Sequence, residues 1–256
     1  MSGVPVHLLD RLTERYSPFL ASVPEAHEVA LEAGESRYLH HIPGSLLRLE
    51  ESRDDQGEVL VSHNFAARRA GNHGRLLLSA PEDAEDSLMA IENYLRWTLA
   101  DMALDHGGFI FHAAGLAKNG SAYVFFGPSG AGKSTIVSLS PGARILSDDL
   151  VLVLQGQSGW QAATTPFKGM FPQGAKDRAV YPLAGLFRLV QSPSLALAKL
   201  PVGLAVGMAM ACCPFVSDPL KRHGKLMKLV EQCCRETGVS ELRFRRDSSF
   251  WNLVER

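Results

Sequence analysis

Several things are scarce or missing in this chain, and each absence narrows its class. Neither sign of charge dominates: 26 Lys and Arg face 27 Asp and Glu, a net charge of −1 over 256 residues. The overall balance therefore gives no argument for a nucleic-acid or membrane-surface partner. The most apolar run, "LPVGLAVGMAMACCPF" (Leu200–Phe215), falls short of the roughly 20 residues that cross a bilayer and reads as a buried helix. The opening "MSGVPVHLLDRLTERY" is polar and mixed in charge, unlike a secretory signal, so a cytoplasmic location is expected. Only four cysteines occur, as two neighbouring pairs, Cys212-Cys213 and Cys233-Cys234, with no Cys-x-x-Cys spacing that would suggest zinc. Neighbours on a helix point to different faces, so neither pair is expected to place both thiols in one core. Reduced thiols used as small apolar side chains are the expectation. Internal repeats, low-complexity tracts and long linkers are also lacking.

An apolar content of 46% suffices for a sizeable core. Charge is unevenly distributed. Residues 1–100 carry 9 Lys and Arg against 16 Asp and Glu, net −7; residues 101–256 carry 17 against 11, net +6. The positive excess peaks in Lys221–Arg246, which reads either as a solvated helix face or as an attraction for phosphate or an acidic partner. Short alternating runs between Glu25 and Leu78, with an Asp-Asp-Gln-Gly turn, predict small strands and a hairpin. From Pro81 the period becomes helical, with Leu88, Ile91, Leu95, Leu99 and Met102 on one stripe and Gly107-Gly108 as the stop. These shifts divide the chain into a small β-rich N-terminal part, 1–80, and a larger domain, 81–256. "FIFHAAGLAKNGSAYVFFG" predicts a hairpin turning at Lys118-Asn119-Gly120. Helices are expected at about Val202–Cys213 and Asp218–Thr237, and strands at "FRLVQ" and "LRFRR".

What is present most clearly is "GPSGAGKST". Gly127, Pro128, Ser129, Gly130, Ala131, Gly132, Lys133 and Ser134 fit G-x-x-x-x-G-K-[ST] at every fixed position, and Thr135 follows. An apolar strand precedes the loop and a short helix follows, ended by Pro141-Gly142. In such a loop, glycines let backbone N–H groups turn inward around phosphates. Lys133 is expected to reach the β- and γ-phosphates and Ser134 to bind magnesium, so ATP or GTP with Mg2+ is the expected ligand.

Fifteen residues beyond Lys133 stands "ILSDDLVLV", with Asp148 and Asp149 between two apolar runs. So short a helix returns the chain quickly to the sheet, and "ARIL" is expected close to the strand that leads into the loop. Two carboxylates beside Mg-ATP can divide the work, one on the metal and one taking a proton from an incoming hydroxyl. The other reading of the pair is a polar turn between strands. The "LSGGQ" signature of transport ATPases, the Asn-Lys-x-Asp of GTPases and the Arg-rich lid of nucleoside monophosphate kinases are all absent.

The order "FIFHAAGL", "AYVFFGPSGAGKST", "ARILSDDLVLV" resembles the catalytic domain of HPr serine kinase/phosphorylase over about 108–154. More loosely, "TTPFKG" and "LRFRRDSSFW" are similar to HPr-kinase-related proteins of peptide biosynthesis, including lasso-peptide kinases. The resemblance implies an α/β (α+β) fold with a mixed central sheet, similar to phosphoenolpyruvate carboxykinase. It implies that His112 stands near the γ-phosphate and the acceptor serine, that Asp148 is the base, and that Asp149 is its polar or metal-side companion. HPr kinases are hexamers, which implies a homo-oligomer. The family's downstream Glu-containing motif is absent; "TPFKGMF" stands in its place, with Lys168, Arg178 and Arg188 as candidate cations for the transferred group.

The leading expectation is an ATP- and Mg-dependent kinase acting on a serine hydroxyl of a peptide or small protein. A nucleotide-binding accessory protein without transfer activity, and a kinase or hydrolase of a small metabolite, are the alternatives.

Overall fold

The computed structural model describes residues 4–19, 28–33, 49–167, 169, 175–214 and 221–255. The architecture is mixed α/β, with two sheets and helices on both units. The chain divides into two compact units, Met1–Thr98 with Ser217–Pro219, and Leu99–Val216 with Leu220–Arg256.

The first unit opens with α1 (Val6–Tyr16), an amphipathic helix whose Leu8, Leu12 and Tyr16 recur every four residues and are buried. No helix was expected there. Its strands are β1 (Glu28–Ala33), β2 (Glu50–Asp54), β3 (Gly57–Val61), β4 (Phe65–Ala70) and β5 (His73–Leu78). They form a sheet in the order β1-β5-β4-β3-β2, antiparallel except for the parallel β1–β5 pair. The hairpin at Asp54–Gly57 lies where the turn residues put it. One face alternates inward through Leu60, Phe65, Ala67, Leu76 and Leu78. Arg69 and Glu58 are buried on that face as an ion pair, and the Arg69 guanidinium lies 4.5 Å from the centre of the Trp97 ring. Trp97 belongs to α2 (Ala84–Asp105), the helix read from the period change at Pro81.

The second unit is built on β6 (Gly108–Lys118), β7 (Ser121–Phe126), β8 (Arg144–Ser147), β9 (Leu150–Gly156), β10 (Gly159–Ala163), β11 (Val180–Gln191), β12 (Ala196–Lys199) and β13 (Val239–Phe244). The order is β10-β9-β6-β7-β11-β13-β12, with β8 on β6 and β10 also on the start of β11. Strands β7, β11 and β13 run parallel; most other pairs are antiparallel, so the sheet is mixed. Asn119 and Gly120 both take positive φ, 52° and 80°, as a two-residue hairpin turn between β6 and β7 requires.

Side chains of β7 alternate between two cores. Val124 and Phe126 join Phe109, Phe111 and Leu186 on one face, against α4 (Val202–Met210) and α5 (Lys221–Thr237). Tyr123 and Phe125 join Phe187, Phe244, Phe250 and Trp251 on the other, against α3 (Lys133–Ser138) and α6 (Trp251–Val254).

Two expectations are corrected here. The apolar run at Leu200–Phe215 is not a buried helix: among the described residues, α4 buries Ala205 and Ala209, while Gly203, Leu204 and Gly207 are exposed. A helix lying on one face of a sheet hides one stripe, whatever its average hydropathy. The Cys233-Cys234 pair places both thiols in one core, at 0% and 2% exposure, with Cys212 and Cys213 packed against the same cluster. Neighbouring positions are 100° apart on a helix. Since α5 meets both α4 and the sheet, its buried arc is wide enough for both. Among the described residues, no helix is long and apolar enough to cross a membrane.

Candidate functional site

Strand β6 organises the site. From Gly108 to Ala117 each of its residues is buried except His112, whose side chain is 49% exposed. An exposed imidazole in an otherwise buried strand faces a surface that the strand's own core does not use. His112 Nε2 lies 3.7 Å from Asp149 Oδ1, and the next residue, Ala113, donates its backbone N–H to the Asp149 carbonyl at 3.0 Å. On its other edge Ala113 is the register partner of Phe126, the last residue before the Gly127–Ser134 loop. The chain at Asp149 thus lies two strand spacings, about 10 Å, from the base of the loop.

The paired aspartates sit in the turn between β8 and β9. Strand β8 is not paired with β7, the strand that leads into the loop; both pair with β6, which stands between them. The turn is built on Ser147, fully buried, whose Oγ accepts from the N–H groups of Asp149 (3.2 Å) and Leu150 (3.0 Å) and donates to the Phe167 carbonyl (3.0 Å). Serine supplies such local turn bonds readily. Asp148 is buried, with Oδ1 accepting the Gly169 N–H at 2.9 Å; a Cβ at Gly169 would stand 3.2 Å from Asp148 Oδ2. Phe167 and Gly169 therefore lie against the aspartate turn, and Thr165 Oγ1 donates to the Leu150 carbonyl. The two carboxylates differ in setting: Asp148 is buried and accepts the Gly169 amide, whereas Asp149 faces His112.

In the loop, Gly130 and Gly132 take φ of 79° and 107°, open to glycine at little cost. Lys133 Nζ donates to the carbonyls of Gly127 (3.1 Å) and Pro128 (3.5 Å), within its own loop. An ammonium held by carbonyls of its own loop, beside glycines with positive φ, fits a phosphate group that would take over those bonds. Ser134 and Thr135 lie in the first turn of α3, where N–H groups are not used by the helix ladder. Among the described residues no three His, Cys, Asp or Glu side chains are grouped to hold a metal. Magnesium at a nucleotide takes one or two protein ligands and draws the rest from phosphate and water, so Ser134 and Asp149 are a donor set of the right chemistry.

Of the candidate cations, Arg188 pairs with Glu241 at 2.7 Å, Arg178 is exposed, and Lys168 lies outside the described residues.

Sequence reasoning missed Cys212. Its carbonyl accepts the His112 N–H at 2.7 Å, and its thiol lies against the Gly127 amide and near Lys133. Burial raises its pKa above the ordinary thiol value; Lys133 and the Gly127 N–H act in the opposite sense. Only the return of the chain after α4 brings Cys212 to the loop, and no local pattern signals that.

The model of a family described as SynChlorMet cassette protein ScmC matches residues 77–214, more than half of the chain. That span contains His112, the loop, both aspartates and Cys212. No curated protein matches the chain.

Proposed function

We propose that this chain, which belongs to the SynChlorMet cassette protein ScmC family, is an ATP- and Mg-dependent kinase that phosphorylates a serine hydroxyl of a peptide or small protein. The observation that carries the reading is the alignment of Asp149, in the turn before β9, with Ala113 on β6 and Phe126 on β7. It sets the aspartate turn and the exposed His112 beside a loop of phosphate-binding pattern. The arrangement is in keeping with an HPr-kinase-like, phosphoenolpyruvate-carboxykinase-like site.

The loop amides and Lys133 bind the β- and γ-phosphates. When bound, magnesium neutralises phosphate charge, with Ser134 and Asp149 as its protein ligands. His112, beside Asp149, orients the acceptor and the transferred group. Asp148 accepts the serine proton as the hydroxyl oxygen attacks phosphorus in line and the bond to the ADP oxygen breaks. The loop amides and Lys133 stabilise the charge that develops. Such a kinase would act in the cytoplasm. The family's description as a cassette protein directs the search for the acceptor to the cassette's own products.

The test is incubation with labelled ATP and candidate peptides. Lys133→Ala and Asp148→Asn should both abolish labelling. Asn can still accept the Gly169 amide, so the second variant keeps the turn and loses only the base. Full activity of Asp148→Asn, with Asp149→Asn inactive, would move the base to Asp149. One observation favours a second reading: Asp148 Oδ1 is already engaged by Gly169. On that reading the protein binds nucleotide as an accessory, and no ADP forms with any partner while Mg-ATP still binds.

A further inference from the structure

The Gly127–Ser134 loop is held from behind by two adjacent strands. Strands β7, β11 and β13 are parallel, so the carboxyl ends of β11 and β13 lie on the same side as the loop that follows β7. Gln191 and Phe244 are the last residues of β11 and β13 and form one register pair. Both reach the loop. Gln191 Nε2 donates to the Gly130 carbonyl at 2.8 Å. Phe244 is buried against Gly132, where a Cβ would stand 2.6 Å from the ring and 3.5 Å from Gln191 Nε2.

The bond to Gly130 has a consequence for its whole peptide plane. The Gly130 carbonyl and the Ala131 N–H share that rigid plane and point in opposite directions. The carbonyl is taken by Gln191, and the N–H donates to the Pro128 carbonyl at 3.1 Å. The plane is thus fixed at both ends. A carbonyl free to swing toward the centre of the loop would present a negative dipole to any anion there. The bond to Gln191 removes that alternative and leaves the centre of the loop to backbone amides, the groups that would receive an anion there. Gln191 itself is exposed at a strand end, and its side chain takes no part in either core.

We propose that Gln191 is a positioning residue that holds the loop in its phosphate-receiving shape; this rests on reading the loop as a nucleotide site. Its action is on the phosphates and not on the base. A preformed loop binds without first being ordered, so losing Gln191 weakens binding rather than folding.

The experiment is titration calorimetry of the full chain with Mg-ATP and with Mg-tripolyphosphate, alongside the melting temperature of the free protein. Gln191→Met keeps the bulk and removes the donor. It should weaken both ligands to a similar degree, about tenfold for one lost hydrogen bond, with the melting temperature unchanged. Gln191→Glu places a carboxylate against the Gly130 carbonyl and should weaken both further. Binding by Gln191→Met equal to wild type overturns the positioning role while the nucleotide reading stands. A loss for ATP alone, or a loss matched by a fall in melting temperature, also overturns it. If the wild-type chain binds neither ligand, the nucleotide reading falls, and this inference falls with it.

Discussion

Cys212 shows how a single residue takes its chemistry from its surroundings. Burial raises its pKa, and the Lys133 ammonium and the Gly127 amide pull it back without cancelling the rise. The thiol is therefore protonated at neutral pH, and thiolate, the reactive form, accumulates only above the ordinary thiol range. Alkylation followed by mass spectrometry should reach Cys212 first, because Cys233 and Cys234 lie in the core and the Cys213 thiol donates to the Ala209 carbonyl. The rate should still be climbing at pH 9.0. Lys133→Ala should slow it by removing the nearby cation, and Mg-ATP should protect. A rate that levels off below about pH 8, under the ordinary thiol value, would contradict the assigned environment.

At the scale of elements, the C-terminal helix α6 latches the helix that follows the loop. Trp251 is buried, packs edge-on to Tyr123 and Phe125, and donates Nε1–H to Ser140 Oγ at 3.0 Å; Ser140 in turn donates to the Ile136 carbonyl at 2.7 Å. Trp251→Ala should cost about 3–5 kcal/mol in urea unfolding. Trp251→Phe keeps most of the packing and should cost the hydrogen bond, about 1 kcal/mol. These elements were legible in the sequence to different depths. The β6–β7 hairpin was readable because Asn119-Gly120 is a local signal, and α2 because its period is long and regular. The loop and the aspartates stood out as candidates through residue type and spacing, and His112 through the resemblance alone. The latch, the Gln191 clamp and the approach of Gly169 to Asp148 were not. Each joins residues more than 20 positions apart, and nothing in either partner's neighbourhood records the other. Helix α4 misled for a related reason: average hydropathy does not say which stripe a sheet will cover.

For the whole molecule, each of the two units carries buried residues of its own. The five-stranded sheet of the first unit encloses the Arg69–Glu58 pair, and the second holds the candidate site. A ligand stabilises the unit that binds it, by RT ln(1 + [L]/Kd). Mg-ATP at a hundred times its Kd should therefore stabilise the second unit by about 2.7 kcal/mol. In scanning calorimetry its transition should move up while that of the first unit stays in place. Lys133→Ala should erase the shift. A single transition that moves as a whole would mean that the units unfold together.

Strand β6 has one more consequence. It carries the aspartate turn on one edge and the root of the loop on the other, so a single ribbon of backbone sets the gauge between the two halves of the site. That gauge comes in whole steps. Its width is the two interstrand spacings across β6, which the backbone ladder fixes, and a slip of one residue would reverse the facing of His112. Drift by point substitution can therefore change what occupies the gap, and hardly its width. A relative serving a larger acceptor would have to enlarge the loops around β6, and would be expected to leave its length and register alone.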